Sequence, residues 1–345
     1  MSREQVTATI SEAGGACTPL PRVNIGVAVY NGEEYLAETL DSLLGQTFGD
    51  FELIISDNAS TDRTEAICRS YAAKDKRIRY YRVGENRGAS WNFNRVFALA
   101  RAEYFKWADH DDTYAPTFIA RCVEVLDADP SIVCCHAKTR KIDARGNALP
   151  ELPDPTDGLL NESPVASEDG HKPRLLDALS PKAARRFREV LLNSGWGVRC
   201  SGLFRVEALR RTSLFLPVFG YEKVIFAELA LRGRFHDVPE TLFYQRVHPR
   251  AMSTMASPTL RQRLFDPLGP RRAVLPRLRL LAGYLKAVHK AKLTPRRRLE
   301  CYLAIVEYLL QIRKWRQVLV STFRGNGTGG DNHKTLKQID LLQAK

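Results

Sequence analysis

The seven cysteines form an odd, irregularly spaced set without a single CxxC pair, which excludes both a disulfide frame and a zinc ribbon. No apolar run reaches the about 18 residues of a membrane span, and the first twenty residues lack a basic start followed by an apolar core. A soluble or peripheral protein of the reducing cytoplasm is expected. Acidic residues are the scarcer charge: 39 Asp and Glu stand against 52 Lys and Arg, a formal net charge of +13 over 345 residues. Such a surface is drawn to something anionic, whether nucleic acid, acidic lipid headgroups or phosphorylated substrates. Ordinary proportions of hydrophobic residues (44%) and charged residues (26%) exclude wholesale disorder.

What is present is an alternation of short apolar runs and amphipathic stretches. VNIGVAVYN (from Val23) is a run of mostly branched residues, and EEYLAETLDSLLGQ then places Leu36, Leu40, Leu43 and Leu44 at helical spacing. FELIISDNASTD, IRYYRV and EYFKWA repeat the strand signal, with helical stretches between them. Strands alternating with helices predict an α/β fold, a parallel sheet covered on both faces, whose ligands bind outside the carboxyl ends of the strands. SIVCCHAKTRKID reads as a further strand, GYEKVIFAELALRGRF as a helix from about Glu222 to Arg232, and VPETLFYQRVHP as a strand ending at His248.

Asn31, Asp57 and the run Asp109-His110-Asp111-Asp112 all fall at predicted strand ends. Carboxylates this close raise each other's pKa, and a bound cation relieves the conflict. Mg²⁺ takes one or two carboxylates and completes its shell with substrate phosphates. A solvated acidic turn that caps the helix beginning near Pro116 is the other reading of the same residues.

VNIGVAVYNGEEYLAETLDSLLGQTFGDFELIISDNASTD, the ENRGASWNFN turn and WADHDD resemble, in that order, the family 2 glycosyltransferases of GT-A fold, a Rossmann-like, mostly parallel sheet flanked by helices. The resemblance covers about Arg22 to Ile142 and resumes more weakly from Gly195 to Ser253. The resemblance implies a GT-A domain (21–255), while composition along the chain predicts a flexible tail (1–20), a loop-rich excursion (146–180), a basic helical region (256–324) and a disordered tail (325–345). It also implies an inverting transfer from a nucleotide-diphosphate sugar, a UDP-sugar being favoured, to a glycan, glycolipid or lipid-linked acceptor of cell-envelope synthesis.

Carried over residue by residue, the resemblance assigns Val29, Tyr30, Asn31 and Glu33 to the loop that cups base and ribose. Asp57 falls on the first acid of a paired-Asp motif whose second position here is Asn58, a departure bearing on base recognition. Arg87 and Gly88 lie near the nucleotide. Asp109-His110-Asp111 takes the place of the DxD motif, with Asp111 the direct ligand of Mg²⁺ or Mn²⁺, Asp109 closer to ribose or sugar, and His248 reaching the metal or the diphosphate. Asp112 and Trp196 fall on the acceptor side. Glu222 stands where the family carries a catalytic Asp, with Glu228 as the alternative base; a helix N-terminus is expected to keep Glu222 ionised.

Two other classes stay open on sequence grounds. A metal-dependent phosphohydrolase or nucleotidyltransferase also wants carboxylates at strand ends, although such enzymes often draw them from several strands. The net charge alone motivates a nucleic-acid-binding module, and no module pattern supports one, so no nucleic-acid partner is expected. The basic residues from Arg271 to Arg298 read either as a solvated helical face or as a peripheral contact with an anionic membrane at the inner face of the plasma membrane.

Overall fold

Branched residues at alternate positions of β1 (Val23–Val29) turn Val23, Ile25 and Val27 to one face, where they are fully buried. β1 sits between two parallel neighbours, β2 (Phe51–Asp57) and β4 (Tyr104–Ala108), and β3 (Ile78–Arg82) pairs in parallel with β2. Parallel strands need crossovers, and α1 (Leu36–Leu44), α2 (Thr64–Lys74) and α3 (Ala89–Ala98) supply them. The computed structural model describes residues 20–150, 180–192, 197–254, 258–267 and 276–310. The expected N-terminal tail, nearly all of the excursion, Trp196, Arg271, Arg272 and the C-terminal tail lie outside these residues.

The remaining elements are β5 (Thr113–Tyr114), α4 (Phe118–Ala128), β6 (Ile132–Ile142), α5 (Ala183–Leu192), a 3₁₀ turn (Gly197–Ser201), β7 (Leu203–Arg205), α6 (Val206–Arg210), α7 (Glu222–Ala230), β8 (Arg234–Arg246), α8 (Pro258–Phe265), α9 (Pro276–Lys290) and α10 (Pro295–Leu310). The sheet order is β3-β2-β1-β4-β7-β6-β8-β5. The parallel arrangement expected from the alternation holds across β3-β2-β1-β4; β7 then runs antiparallel to both β4 and β6 and makes the sheet mixed. Helix α7 ends at Ala230, two residues before the expected Arg232, and β8 stops at Arg246, leaving His248 on the loop beyond it.

Two hydrophobic clusters cover the two faces. One joins β1, β2, α1 and α4 through Leu36, Leu40 and Phe118; the other joins α3, α5, α7, α9 and α10 around Trp107, Phe187, Phe204 and Phe226. The carboxyl ends of β1, β2 and β4 emerge together between these layers, where a sheet of this kind leaves its crevice.

Candidate active site

The loops after β1 and β2 are joined by reciprocal hydrogen bonds. Asn31 donates its backbone N–H to Ser60 Oγ at 2.9 Å, and its Oδ1 accepts the Thr61 N–H at 2.8 Å. Gly32 donates to Thr64 Oγ1 at 2.9 Å and Glu33 to Asp62 Oδ2 at 3.0 Å, while Glu33 Oε2 accepts the Arg63 N–H at 3.0 Å. Asn31 takes a φ of +52°, a left-handed conformation that Asn tolerates better than most residues. Tyr30 is half-buried beside these bonds.

Three residues expected at the donor turn inward instead. Val29 is fully buried in the core, and its carbonyl already accepts from the Asn58 N–H at 2.9 Å. Asp57 is fully buried; its oxygens accept from the Ser60 N–H at 2.8 Å and the Tyr80 hydroxyl at 2.9 Å, with Arg82 Nε at 3.4 Å. Asn58, 2% exposed, donates to Asn86 Oδ1 at 2.9 Å and accepts the Arg87 N–H at 3.0 Å. Asp57 and Asn58 therefore shape the loops rather than reach a base. Their bonds fix the turn carrying Arg87, whose exposed guanidinium lies 5.0 Å from the Trp91 ring, and Gly88. At φ +86°, a side chain on Gly88 would be strained and would meet the Phe265 carbonyl at 2.7 Å.

Asp109, His110 and Asp111 follow β4 and are half-buried. Asp109 Oδ2 accepts from Ser201 Oγ at 3.3 Å, and Asp111 Oδ2 lies 3.0 Å from His248 Nε2. Burial, and then the charge of Asp111, push the Asp109 carboxyl up to about 6. Burial also works against the charged form of Asp111, but the His248 hydrogen bond and the charges of His110 and His248 outweigh it and hold Asp111 below the ordinary range.

Asp112, expected on the acceptor side, is 4% exposed: its Oδ1 accepts the Arg246 N–H at 2.8 Å and its carbonyl accepts from Thr39 Oγ1 at 2.8 Å. It locks the loop between α1 and β8 and is closed to an acceptor. Arg246 was not singled out by the sequence reading. Its buried guanidinium donates to the Asp111 carbonyl at 2.9 Å, pairs with Glu38 at 2.6 Å and lies 4.8 Å from the Tyr35 ring, which in turn packs 4.7 Å from His248. Lys106 was also missed. Fully buried on β4, it bonds the Ser201 carbonyl and lies 4.0 Å from the Tyr114 ring and 4.5 Å from that of Phe118; burial pushes its ammonium down to about 7.

Among the described residues, no three His, Cys, Asp or Glu side chains converge on one point, so the expected set of Asp111, Asp109 and His248 is not a preformed cage. His248 bonds Asp111, the position of an orienting partner. Two neighbouring carboxylates, one of them raised by burial and by the charge of the other, still fit a hard cation that keeps open positions for phosphate and water.

Glu222 opens α7 and is half-buried. Burial raises its carboxyl above the ordinary range, and the N–H at the helix start only partly opposes this. Glu228 is 2% exposed and accepts from the Ser213 N–H at 2.7 Å and Oγ at 2.8 Å, which removes it as an alternative base. At one end of the 3₁₀ turn Ser201 Oγ bonds Asp109 at 3.3 Å, and at the other a Cβ on Gly197 would lie 3.8 Å from Glu222 Oε1, so both carboxylates border this one turn. The β4 cluster and the α7 carboxylate thus meet the same short turn, Gly197–Ser201, from its two ends.

The model of the family described as Glycosyl transferase family 2 matches residues 24–211, more than half of the chain. An uncharacterized glycosyltransferase of Rickettsia typhi is 35% identical over 130 residues, 37% of this chain and 40% of that one. Chondroitin synthase of Escherichia coli is 32% identical over 130 residues, 38% of this chain and 19% of its own length. The chain thus matches less than half the length of these relatives. Among solved structures, TarS 1-349 of S. aureus in complex with UDP has a TM-score of 0.55 at 17% identity, covering 84% of this chain and 70% of that one. Mannosyltransferase PcManGT from Pyrobaculum calidifontis, in complex with GDP-Man and Mn²⁺, has a TM-score of 0.53 at 17% identity, covering 95% and 82%. At such identity the likeness speaks for the fold. The chain belongs to glycosyl transferase family 2 and has the GT-A fold.

Proposed function

We propose that the protein moves a sugar, with inversion, from a nucleotide-diphosphate donor to the hydroxyl of a glycan, glycolipid or lipid-linked acceptor in envelope synthesis. The observation that carries this reading is the shared border at the Gly197–Ser201 turn, with Asp109 bonded at Ser201 and Glu222 beside Gly197. Asp111 and Asp109 would hold a Mg²⁺ or Mn²⁺ ion, with His248 and Arg246 orienting Asp111 through its carboxylate and its carbonyl. Bound there, such an ion supplies a Lewis acid for the diphosphate oxygens.

The loops that carry Tyr30, Asn31, Glu33 and Arg87 surround the nucleotide. Glu222 accepts the proton of the acceptor hydroxyl as its oxygen bonds to the anomeric carbon, and the diphosphate leaves on the opposite side with the electron pair of the broken C–O bond. A carboxyl with a raised pKa is a stronger base than an ordinary one, which suits it to a weakly acidic hydroxyl. A UDP-sugar is the favoured donor. The solved neighbours were captured with UDP, with UDP-GlcNAc and with GDP-Man, so the nucleoside diphosphate is the feature they share.

Thermal unfolding with UDP-GlcNAc or GDP-Man, each with and without MnCl₂, tests the donor class, because a ligand that binds only the folded state raises its apparent stability. A metal-dependent rise in the midpoint that disappears in Asp111→Ala is expected. Metal-dependent donor affinity left unchanged by Asp111→Ala sinks the assignment.

A further inference from the structure

Helices α9 and α10 each bury one apolar face and leave a second in the open. On α10, Cys301, Ala304, Ile305 and Tyr308 are buried, while Leu299, Leu303, Val306 and Leu310 are 59%, 54%, 49% and 66% exposed. At about 100° per residue, steps of four, three and four set the exposed residues on one stripe opposite the buried face. The same pattern recurs on α9, where Leu280, Tyr284 and Val288 are buried and Leu278 and Leu285 are 46% and 43% exposed. α9 lies on α7 and α10 on α5, and the Tyr284 and Tyr308 rings meet edge-on at 5.5 Å, so the two helices form one outer layer. Single exposed leucines are normal on a protein surface; two neighbouring stripes of them mark an interaction face.

The charge of this layer selects the partner. Between Pro276 and Leu310 the chain carries eight Lys and Arg against two Glu. Both glutamates are engaged, Glu300 by Arg296 at 3.4 Å and Glu307 by Arg188 at 2.7 Å. Lys286, Lys290, Lys292 and Arg297 are exposed and have no carboxylate partner among the described residues. A second copy would bring the same positive charge to the face, whereas an anionic bilayer brings the opposite charge together with an apolar interior. We propose that the α9–α10 layer docks on an anionic lipid surface, its leucines entering the boundary between headgroups and acyl chains and its Lys and Arg meeting the phosphates.

The layer adjoins the active site. A Cβ on Gly283 would lie 2.7 Å from Val224 Cγ2 and 3.4 Å from the Tyr221 hydroxyl, so only glycine lets α9 approach the first turn of α7 this closely, beside Glu222. Docking therefore holds the base near the membrane, where the hydroxyl of a lipid-linked acceptor is presented. What docking serves rests on the glycosyl-transfer reading; docking itself does not.

Co-sedimentation of the full chain with phosphatidylcholine vesicles, with and without phosphatidylglycerol, tests the surface at low and high salt. Binding only to the anionic vesicles, and weakened by salt, is expected. Neutralising Lys290, Lys292 and Arg297 to Gln should lower vesicle affinity about fivefold per residue, or about 100-fold together. Leu299→Gln with Leu303→Gln should lower it by at least about tenfold while the thermal midpoint holds, because both side chains already face outward. Binding indifferent to lipid charge and to all these substitutions overturns the proposal. So does a dimer in solution that the leucine pair converts to monomer, since a second copy would then own the face. Donor-dependent stabilisation of the same variants separates the two readings: its persistence while vesicle binding fails leaves the transferase assignment standing, and its absence in the unsubstituted chain removes that assignment instead.

Discussion

Asp57 closes β2 and Asp111 follows β4, the two strands that flank β1, yet their surroundings differ in kind. Asp57 is sealed from solvent, with its oxygens committed to Ser60, Tyr80 and Arg82; Asp111 is half-buried and has His248 against one oxygen. Helix α7 repeats the contrast within its own length. Glu228 is sealed and bonded to Ser213, whereas Glu222 is half-buried and accepts no side-chain hydrogen bond among the described residues. A carboxylate whose acceptor capacity is used up internally can only hold structure, while one with open capacity can take a proton or a cation. In both regions sequence resemblance points to the neighbourhood, and satisfaction of hydrogen bonds separates the structural carboxylate from the candidate for chemistry within it.

The strongest way to break this contrast is within α7. Glu222→Gln should lower kcat by about 10²- to 10⁴-fold with donor affinity nearly unchanged. Because burial raises the Glu222 pKa, the acid limb of the kcat profile should lie above that of an ordinary carboxyl, with activity falling as pH drops through it. Glu228→Gln should instead keep transfer and lose about 1–3 kcal/mol of stability, since two donors of Ser213 lose their charged acceptor. Transfer lost in the second variant and kept in the first reverses the assignment.

Lys106 sharpens the comparison because it belongs to neither set: it is fully buried, with the Ser201 carbonyl and aromatic faces for company. Its folded pKa of about 7 lies below the ordinary 10.5, so between these values the unfolded chain holds a proton that the folded chain has shed. Stability should therefore rise with pH across that window. Lys106→Met removes this dependence. Its advantage over the unsubstituted chain should be on the order of 3–5 kcal/mol near pH 7 and shrink toward pH 10 in urea titrations. An advantage that does not change with pH would mean that Lys106 keeps an ordinary pKa.

His248→Ala tests an effect exerted through a neighbour. Losing the bond that orients Asp111 should weaken Mn²⁺ affinity about 10- to 100-fold, less than loss of Asp111 itself. Equal losses in the two variants would make His248 a direct ligand.

The parallel half of the fold was legible because β1, β2 and β4 are short, nearly continuous apolar runs, and the acid cluster was legible because it directly follows one of them. The reversal at β7 was not, since three residues paired antiparallel on both sides carry no period of their own. The inward turn of Asp112 depends on the backbone N–H of Arg246, 134 residues away, and that of Asp57 on Tyr80 one strand over. A polar residue at a strand end looks the same in sequence whether it faces a ligand or a distant donor. Lys106 hid for a related reason: a lysine in EYFKWA could as well have marked an exposed edge, and only the closing of Tyr114, Phe118 and Phe243 around it shows otherwise.

The smallest expected effect is on donor choice at Asn58, where the resembling family keeps an acid. Asn58→Asp retains the acceptor for the Arg87 N–H but loses the amide that donates to Asn86 Oδ1 and the Gly88 carbonyl, and it sets a carboxylate oxygen against both. That should destabilise the turn by about 1 kcal/mol and loosen its grip on Arg87 and Gly88. Buried and spent on the turn, position 58 should not read the base, so the ratio of affinities for UDP and GDP should stay within about twofold of its starting value, far below the effect of losing one direct hydrogen bond to a base. Competition of the two nucleotides against one labelled donor measures the ratio directly. A shift of about tenfold or more, on the scale of 1.4 kcal/mol, would mean that Asn58 turns outward when donor binds and that its internal bonds belong only to the ligand-free loop.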